Sequence, residues 1–252
     1  MDRAKDIARM AQIALAIEPI PDKEGLTTRY VDCVDSLKLE YFIIGGINSG
    51  MHVQELMERE GKGTTYDILY KCIIDNHLNR GGMRVNGPIL QFMWPILLAI
   101  KYFPEIDCPD TLLDKTPAIM KETTKEDALQ YQILHNVGYE QWEGHKDKAY
   151  GQKLLQLHRE SVYDVGYKDG KIREDIYGHP LEKLVWAEML EGFRATGAMY
   201  YEWDQTKPYS VGMIDVYLWA LDNLKGWPKG GIADLMAVVT FLGLYLEDYK
   251  VS

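Results

Sequence analysis

Cysteine is scarce in this chain: Cys33, Cys72 and Cys108 are the only three in 252 residues. They are odd in number, far apart and form no C-x-x-C pair, which argues against a disulfide framework or a thiolate zinc site and fits a reducing cytoplasm. Basic residues are also in deficit, with 28 Lys and Arg against 38 Asp and Glu and a formal net charge of −10. A protein that tracks a phosphate backbone needs clustered Lys and Arg, so a nucleic-acid surface is excluded and only a local basic pocket is left open. A membrane-length apolar run is missing too. The longest, Ile89 to Ile100, is interrupted by Gln91 and Pro95 and falls short of the roughly 20 residues a span needs. Met1 to Met10 is studded with charge and lacks the apolar stretch of a signal peptide. A soluble cytoplasmic protein is expected.

What is present is packing material. Hydrophobic residues make up 46% of the chain, with 17 Tyr, 6 Trp and 11 Met, far more than a disordered chain carries. Ile7, Met10, Ala11, Ala14, Leu15 and Ile17 recur at three- and four-residue steps until Pro19 and Pro21 stop the helix. Further helices are expected from Ser36, from Thr64 or Thr65, over Gly87 to Tyr102, Lys125 to Gln141, Lys148 to Val165, Pro180 to Tyr201, Ser210 to Asn223, and Gly231 to Asp248. No stretch alternates at strand spacing between turn pairs. Tyr167 to Lys171 reads as a small hairpin or a plain loop, and the proline-bearing segment Pro104 to Thr124 as a long connection. The pattern predicts an all-α fold, a single compact domain of about nine helices over residues 1–252.

Three breaks between helices concentrate charge or glycine. Glu18 to Asp35 holds Lys23, Gly25, Arg29, Asp32 and Asp35, a mixture of cations and carboxylates that suits a magnesium–polyphosphate ligand. On composition alone the stronger reading of the same loop is a solvated cap for the following helix. Asn79 to Pro88 carries Arg80, Gly81, Gly82, Arg84, Asn86 and Gly87 ahead of an apolar helix, where backbone N–H groups and arginines attract anions. It matches neither the P-loop nor the dinucleotide pattern, and a glycine turn explains it as well. In Trp227 to Leu235, Gly230 and Gly231 precede Asp234, a first-turn carboxylate favoured by the helix dipole. Glu143–His145 and His158–Glu160 lack metal-ligand spacing. The aromatic group of Tyr200, Tyr201, Trp203, Tyr209, Tyr217 and Trp219 reads as core and helix-end packing.

Taken in order, these segments resemble the triphosphoribosyl-dephospho-CoA synthase family. Its alanine-rich helix ending in Glu and then Lys-Pro-Gly is similar to Ala11 to Gly25, with Glu18, Lys23 and Gly25 at matching spacing and Glu24 in place of the proline. Arg29, Tyr30, Asp32 and Asp35 fall where archaeal relatives carry the same types. Thr124-Lys125-Glu126-Asp127-Ala128 is similar to the family's Asp-Ala helix start, and Gly230 to Ala237 with Phe241-Leu242 to its C-terminal signature. The central Asn-Thr-(His/Asn)-x-Gly run is here Arg84-Val85-Asn86-Gly87-Pro88, which retains Asn86.

The resemblance implies an all-α enzyme that moves a triphosphoribosyl group from ATP to a hydroxyl acceptor such as dephospho-CoA and releases adenine. It implies Mg2+ as cofactor, with Glu18, Asp32 and Asp35 as metal ligands. Asp32, Asp35, Asp127 and Asp234 would be the working carboxylates, and Lys23, Gly25, Arg29, Arg84, Asn86, Gly230 and Gly231 would meet substrate. Nucleotides are the expected partners, with neither nucleic acid nor membrane, and a homodimer is compatible with all of this. The alternatives are a helical nucleotide- or CoA-binding protein without this chemistry, and an enzyme of different chemistry on the same scaffold.

Overall fold

The computed structural model describes residues 2–31, 38–79, 86–142, 159–168 and 187–247, with backbone alone for 79 and 135–142. Those residues are mostly helical, with no strand among them, and they form eleven helices rather than about nine. In chain order these are α1 (Arg3–Ile17), α2 (Leu39–Glu58), α3 (Tyr66–Asn79), α4 (Gly87–Tyr102), α5 (Pro109–Glu122) and α6 (Lys125–Trp142). Two short stretches follow, α7 over 162–168 and α8 over 187–190. Then come α9 (Arg194–Glu202), α10 (Tyr209–Asn223) and α11 (Lys229–Leu246).

Two differences from the expected pattern have local causes. The segment read as a connection, Pro104 to Thr124, contains α5. Pro109 occupies its first turn, where the missing N–H costs nothing and the fixed φ favours helix. Its Leu112, Leu113, Thr116, Ile119 and Met120 turn inward at helical spacing. The helix expected over Pro180 to Tyr201 breaks instead at Gly192 (φ +90°) and Phe193 (φ +58°), both left-handed. Glu188 makes that break tenable, because its buried carboxylate accepts hydrogen bonds from the amides of Ala195 (2.9 Å) and Thr196 (2.6 Å) and so caps α9. Residues 159–161 are also non-helical, which interrupts the helix expected from Lys148 to Val165, while Tyr167 and Lys168 are helical, in α7. Residues 148–158 and 169–171 lie outside the described residues, as does Ser36, and α2 begins at Leu39 with Lys38 at its cap.

The core is one continuous cluster drawn from α1 through α11. At its centre lies α11, buried from Ile232 to Leu244 except at Asp234 and apolar around its whole circumference, the signature of an interior helix. It is the one helix among the described residues long and apolar enough to cross a membrane, yet 67% of that window is packed inside the protein, against α1, α4, α9 and α10. Trp203 is wedged between α10 and α11. A Cβ at Gly212 or Gly243 would lie 2.9 Å and 2.2 Å from its indole, so both glycines make room for it. The closest helix pair is α1 with α2, where Gly46 and Gly50 face Gln12 and Ala16.

Candidate functional site

α1 stops before Pro19, and the chain continues as a loop over 18–31. Lys23 is the anchor of this loop. Its ammonium is fully buried on the Glu18 carboxylate (2.7 Å) and also reaches the Glu18 carbonyl. Burial outweighs the Lys23 charge and pushes the Glu18 carboxyl above its usual range. A second fixed point is Thr28, whose Oγ1 accepts from the amides of Tyr30 (3.2 Å) and Val31 (3.3 Å) while its own N–H meets the Val31 carbonyl (2.8 Å). Between these points Gly25 takes φ +79°, a left-handed turn that glycine adopts without strain.

The turn at Gly25 brings this loop onto the start of the last helix. The Glu24 carbonyl accepts from Lys229 Nζ (3.3 Å) and the Tyr217 hydroxyl (3.4 Å), and the Glu24 carboxylate lies 3.8 Å from the same ammonium. A cavity of about 500 Å3 opens beside the turn, lined by Asp22, Lys23, Glu24, Gly25, Leu26 and Thr28 together with Val31. That volume lies within the range of small-molecule sites. Arg29 is exposed on the same loop, its guanidinium 4.7 Å above the Tyr30 ring. Gly230 is exposed with open space around it, Gly231 packs its Cα against Trp227 and Pro228, and Asp234 is half-buried one turn further on.

Three expected site residues, Asp127, Lys23 and Glu18, make contacts within the fold. Asp127 is buried at the start of α6 and accepts four hydrogen bonds. One oxygen takes the amides of Thr65 (2.6 Å) and Tyr66 (2.8 Å), and the other takes the amide (2.9 Å) and hydroxyl (2.8 Å) of Thr124. Thr124 Oγ1 in turn accepts from the Asp127 amide at 3.0 Å, which closes a reciprocal cap. This carboxylate therefore ties α3 to α6, and burial, reinforced by its charge, holds the Tyr66 and Tyr102 hydroxyls above their usual range. Lys23 is likewise committed to Glu18 rather than presented to a phosphate, and Glu18, expected in a metal shell, is its counter-ion. Among the described residues no group of three or more acidic, His or Cys side chains is arranged to hold a metal. Asp32, Asp35, Arg80, Arg84, His145 and His158 fall outside the described residues, whereas Glu160 is exposed and pairs with Lys125 at 2.9 Å.

Asn86 is described, and it is unusual. It sits in the left-handed region (φ 63°) just before α4, buried, with Nδ2 donating to the Phe42 carbonyl at 3.1 Å. Its Oδ1 is buried with no hydrogen-bond partner among the described residues, an uncommon state for a buried acceptor.

Periodicity passed over a polar seam between α2 and α3. Asn76 Nδ2 donates to Ser49 Oγ (2.9 Å), Ser49 Oγ donates to the Gly45 carbonyl (2.6 Å), and His52 Nε2 lies 2.9 Å from Asp75. The readable signal was Ser49 and His52 three apart on one helix, with Asn76 buried and Asp75 half-exposed beside it on the next. Of the aromatic group, Tyr200, Trp203, Tyr209 and Tyr217 are buried as packing residues, whereas Tyr201 is exposed. No family model, no curated protein and no solved structure matches this chain.

Proposed function

We propose that this protein is a transferase acting on a nucleotide ribose, moving the triphosphoribosyl group of ATP to a hydroxyl acceptor such as dephospho-CoA. The observation that carries the reading is the seating of the 18–31 loop on the start of α11, two segments 205 residues apart. Both belong to the family resemblance, and the loop lines a cavity of ligand size beside the turn at Gly25. The buried open acceptor of Asn86, the retained residue of the central motif, adds support, since a ligand donor would satisfy it.

In the reaction, the acceptor oxygen bonds to the anomeric carbon as the bond from that carbon to the adenine nitrogen breaks. The acceptor's proton passes to a base, and adenine leaves with a proton. Positive charge develops on the sugar, so a nearby carboxylate lowers the barrier. Asp32, Asp35 and Asp234 are the candidates for that work, and Arg29, Arg84 and Lys229 for phosphate contacts. Magnesium, when bound with the triphosphate, would neutralise its charge beside the acidic Asp22 and Glu24. Asp127 and Lys23 are not in the proposed catalytic set, because the fold already uses them.

The test is incubation with ATP, magnesium and a panel of hydroxyl acceptors that includes dephospho-CoA, with free adenine measured chromatographically. Release of adenine is expected, and Asp32→Asn should abolish it with an unchanged melting temperature. No adenine from any acceptor would overturn the reading. The commitment of Lys23 and Asp127 to structure favours one rival, a nucleotide-binding protein without the chemistry. That rival predicts a rise in melting temperature with ATP, by mass action on the folded state, and no adenine.

A further inference from the structure

Asn86 carries an open hydrogen-bonding group into the interior, being only 2% exposed. Its Nδ2 donates to the Phe42 carbonyl, which fixes the orientation of the amide. The remaining atom, Oδ1, is therefore an acceptor, buried and with no hydrogen-bond partner among the described residues. The side chain does not fold back to cap α4, the helix it immediately precedes. In the first turn of α4 Pro88 has no N–H, so the uncapped donors are the buried Gly87 and Ile89. Room remains beside them. Among the described residues, a Cβ built at Gly87 would meet nothing closer than Ile73 Cγ2, at 4.0 Å. An open acceptor thus adjoins uncapped donors in a buried setting, where each hydrogen bond counts for more than it does in water.

This pair lies at the same end of the molecule as the 18–31 loop. α1 and α2 run antiparallel, with Gly46 against Ala16 and Gly50 against Gln12. Phe42, one turn before Gly46, is then level with the point where α1 gives way to the loop. The bond to Phe42 brings the start of α4 to that level, as the bond from Lys229 to the Glu24 carbonyl brings the start of α11 to the loop. We infer that Asn86 and the first turn of α4 read the base of the nucleotide, by an amine beside a ring nitrogen. The inference rests on the transferase reading, which makes that base the departing adenine of ATP. Its exocyclic amine donates to Asn86 Oδ1, and the neighbouring ring nitrogen accepts from a backbone amide of the first turn. A phosphate or carboxylate has no donor to offer Oδ1. Hypoxanthine presents the reverse pattern, a carbonyl and an N–H.

The test is calorimetric titration of the intact protein, with magnesium, using ATP and ITP, which differ only along that edge of the base. The wild type should bind ATP about 10- to 100-fold more tightly, because ITP leaves the buried groups unpaired. Asn86→Gly keeps the left-handed backbone without strain and should bind both nucleotides equally, with unchanged helical circular dichroism. Dephospho-CoA carries the same base, and its affinity should be the same in wild type and Asn86→Gly. Equal wild-type affinity for ATP and ITP overturns the inference. So does a preference for ATP that survives Asn86→Gly, or a loss of dephospho-CoA binding in place of ATP binding. Adenine release, measured alongside, reads the transferase reaction separately. Release without base preference would overturn the role of Asn86 alone, and a preference abolished by Asn86→Gly without release would overturn the transferase alone.

Discussion

Four donors converge on Asp127, and removing the carboxylate would strand the starts of two helices at once. A single lost cap costs about 1 kcal/mol, and buried amides without acceptors add to that. Asp127→Ala should therefore lower stability by about 3 kcal/mol, measured as a denaturant midpoint, while Asp127→Asn, which keeps one acceptor oxygen, should lose less. At the other end of the same scale, Lys23→Met leaves Glu18 buried without its counter-charge, a loss of about 3 kcal/mol at neutral pH. The sign with pH follows from the raised folded-state pKa of Glu18. A carboxyl that holds its proton more tightly when folded lowers stability as pH rises from its unfolded value of about 4.5 through its folded one. Without Lys23 that window extends upward, so the deficit of Lys23→Met should be small in acid and grow toward neutrality. Adding Glu18→Gln should recover most of it.

Helix contacts depend on what can yield. Glycine in a helix interior costs about 1 kcal/mol relative to alanine, so replacement is a gain wherever space allows. At Gly46 a Cβ would lie 2.9 Å from two backbone atoms of α1, the Ala16 nitrogen and the Gln12 oxygen. At Gly50 it would meet only the side chain of Gln12, which can swing away at the loss of its bond to the Ile47 carbonyl (2.8 Å). Gly46→Ala should lose about 2 kcal/mol net, and Gly50→Ala should be close to neutral in thermal unfolding. Helix positions were legible from sequence wherever one side was apolar and the ends were marked. α4 and α10 begin and end within a residue of expectation. Pro109 was misread, because a proline signals the first turn of a helix as readily as its end. The break at Gly192 was hidden, since its cap, Glu188, lies several residues upstream and acts only once folded. The site was legible as segments: their order along the chain was visible, and the contact of Glu24 with Lys229 was not. Burial also converted Lys23 and Asp127 from candidates for chemistry into struts, a distinction that residue type alone does not carry.

Across the molecule, acidity and helix order suggest a division of labour. The formal charge is −10, and the cations proposed to meet phosphate, Arg29 and Lys229, belong to the 18–31 loop and the start of α11. The interior is organised around α11, which touches the first helix and the last third of the chain alike. Its start meets the loop that lines the cavity, through Lys229 and the Glu24 carbonyl, while most of the rest of it is core. The shared cap at Asp127 has a kinetic consequence of its own. An end of α3 cannot fray without releasing the end of α6, so the two termini open as a single event. In native-state hydrogen exchange the amides of Thr65, Tyr66 and Thr124 should report one opening free energy rather than three. In Asp127→Ala they should separate, each exchanging at the rate its own helix end allows.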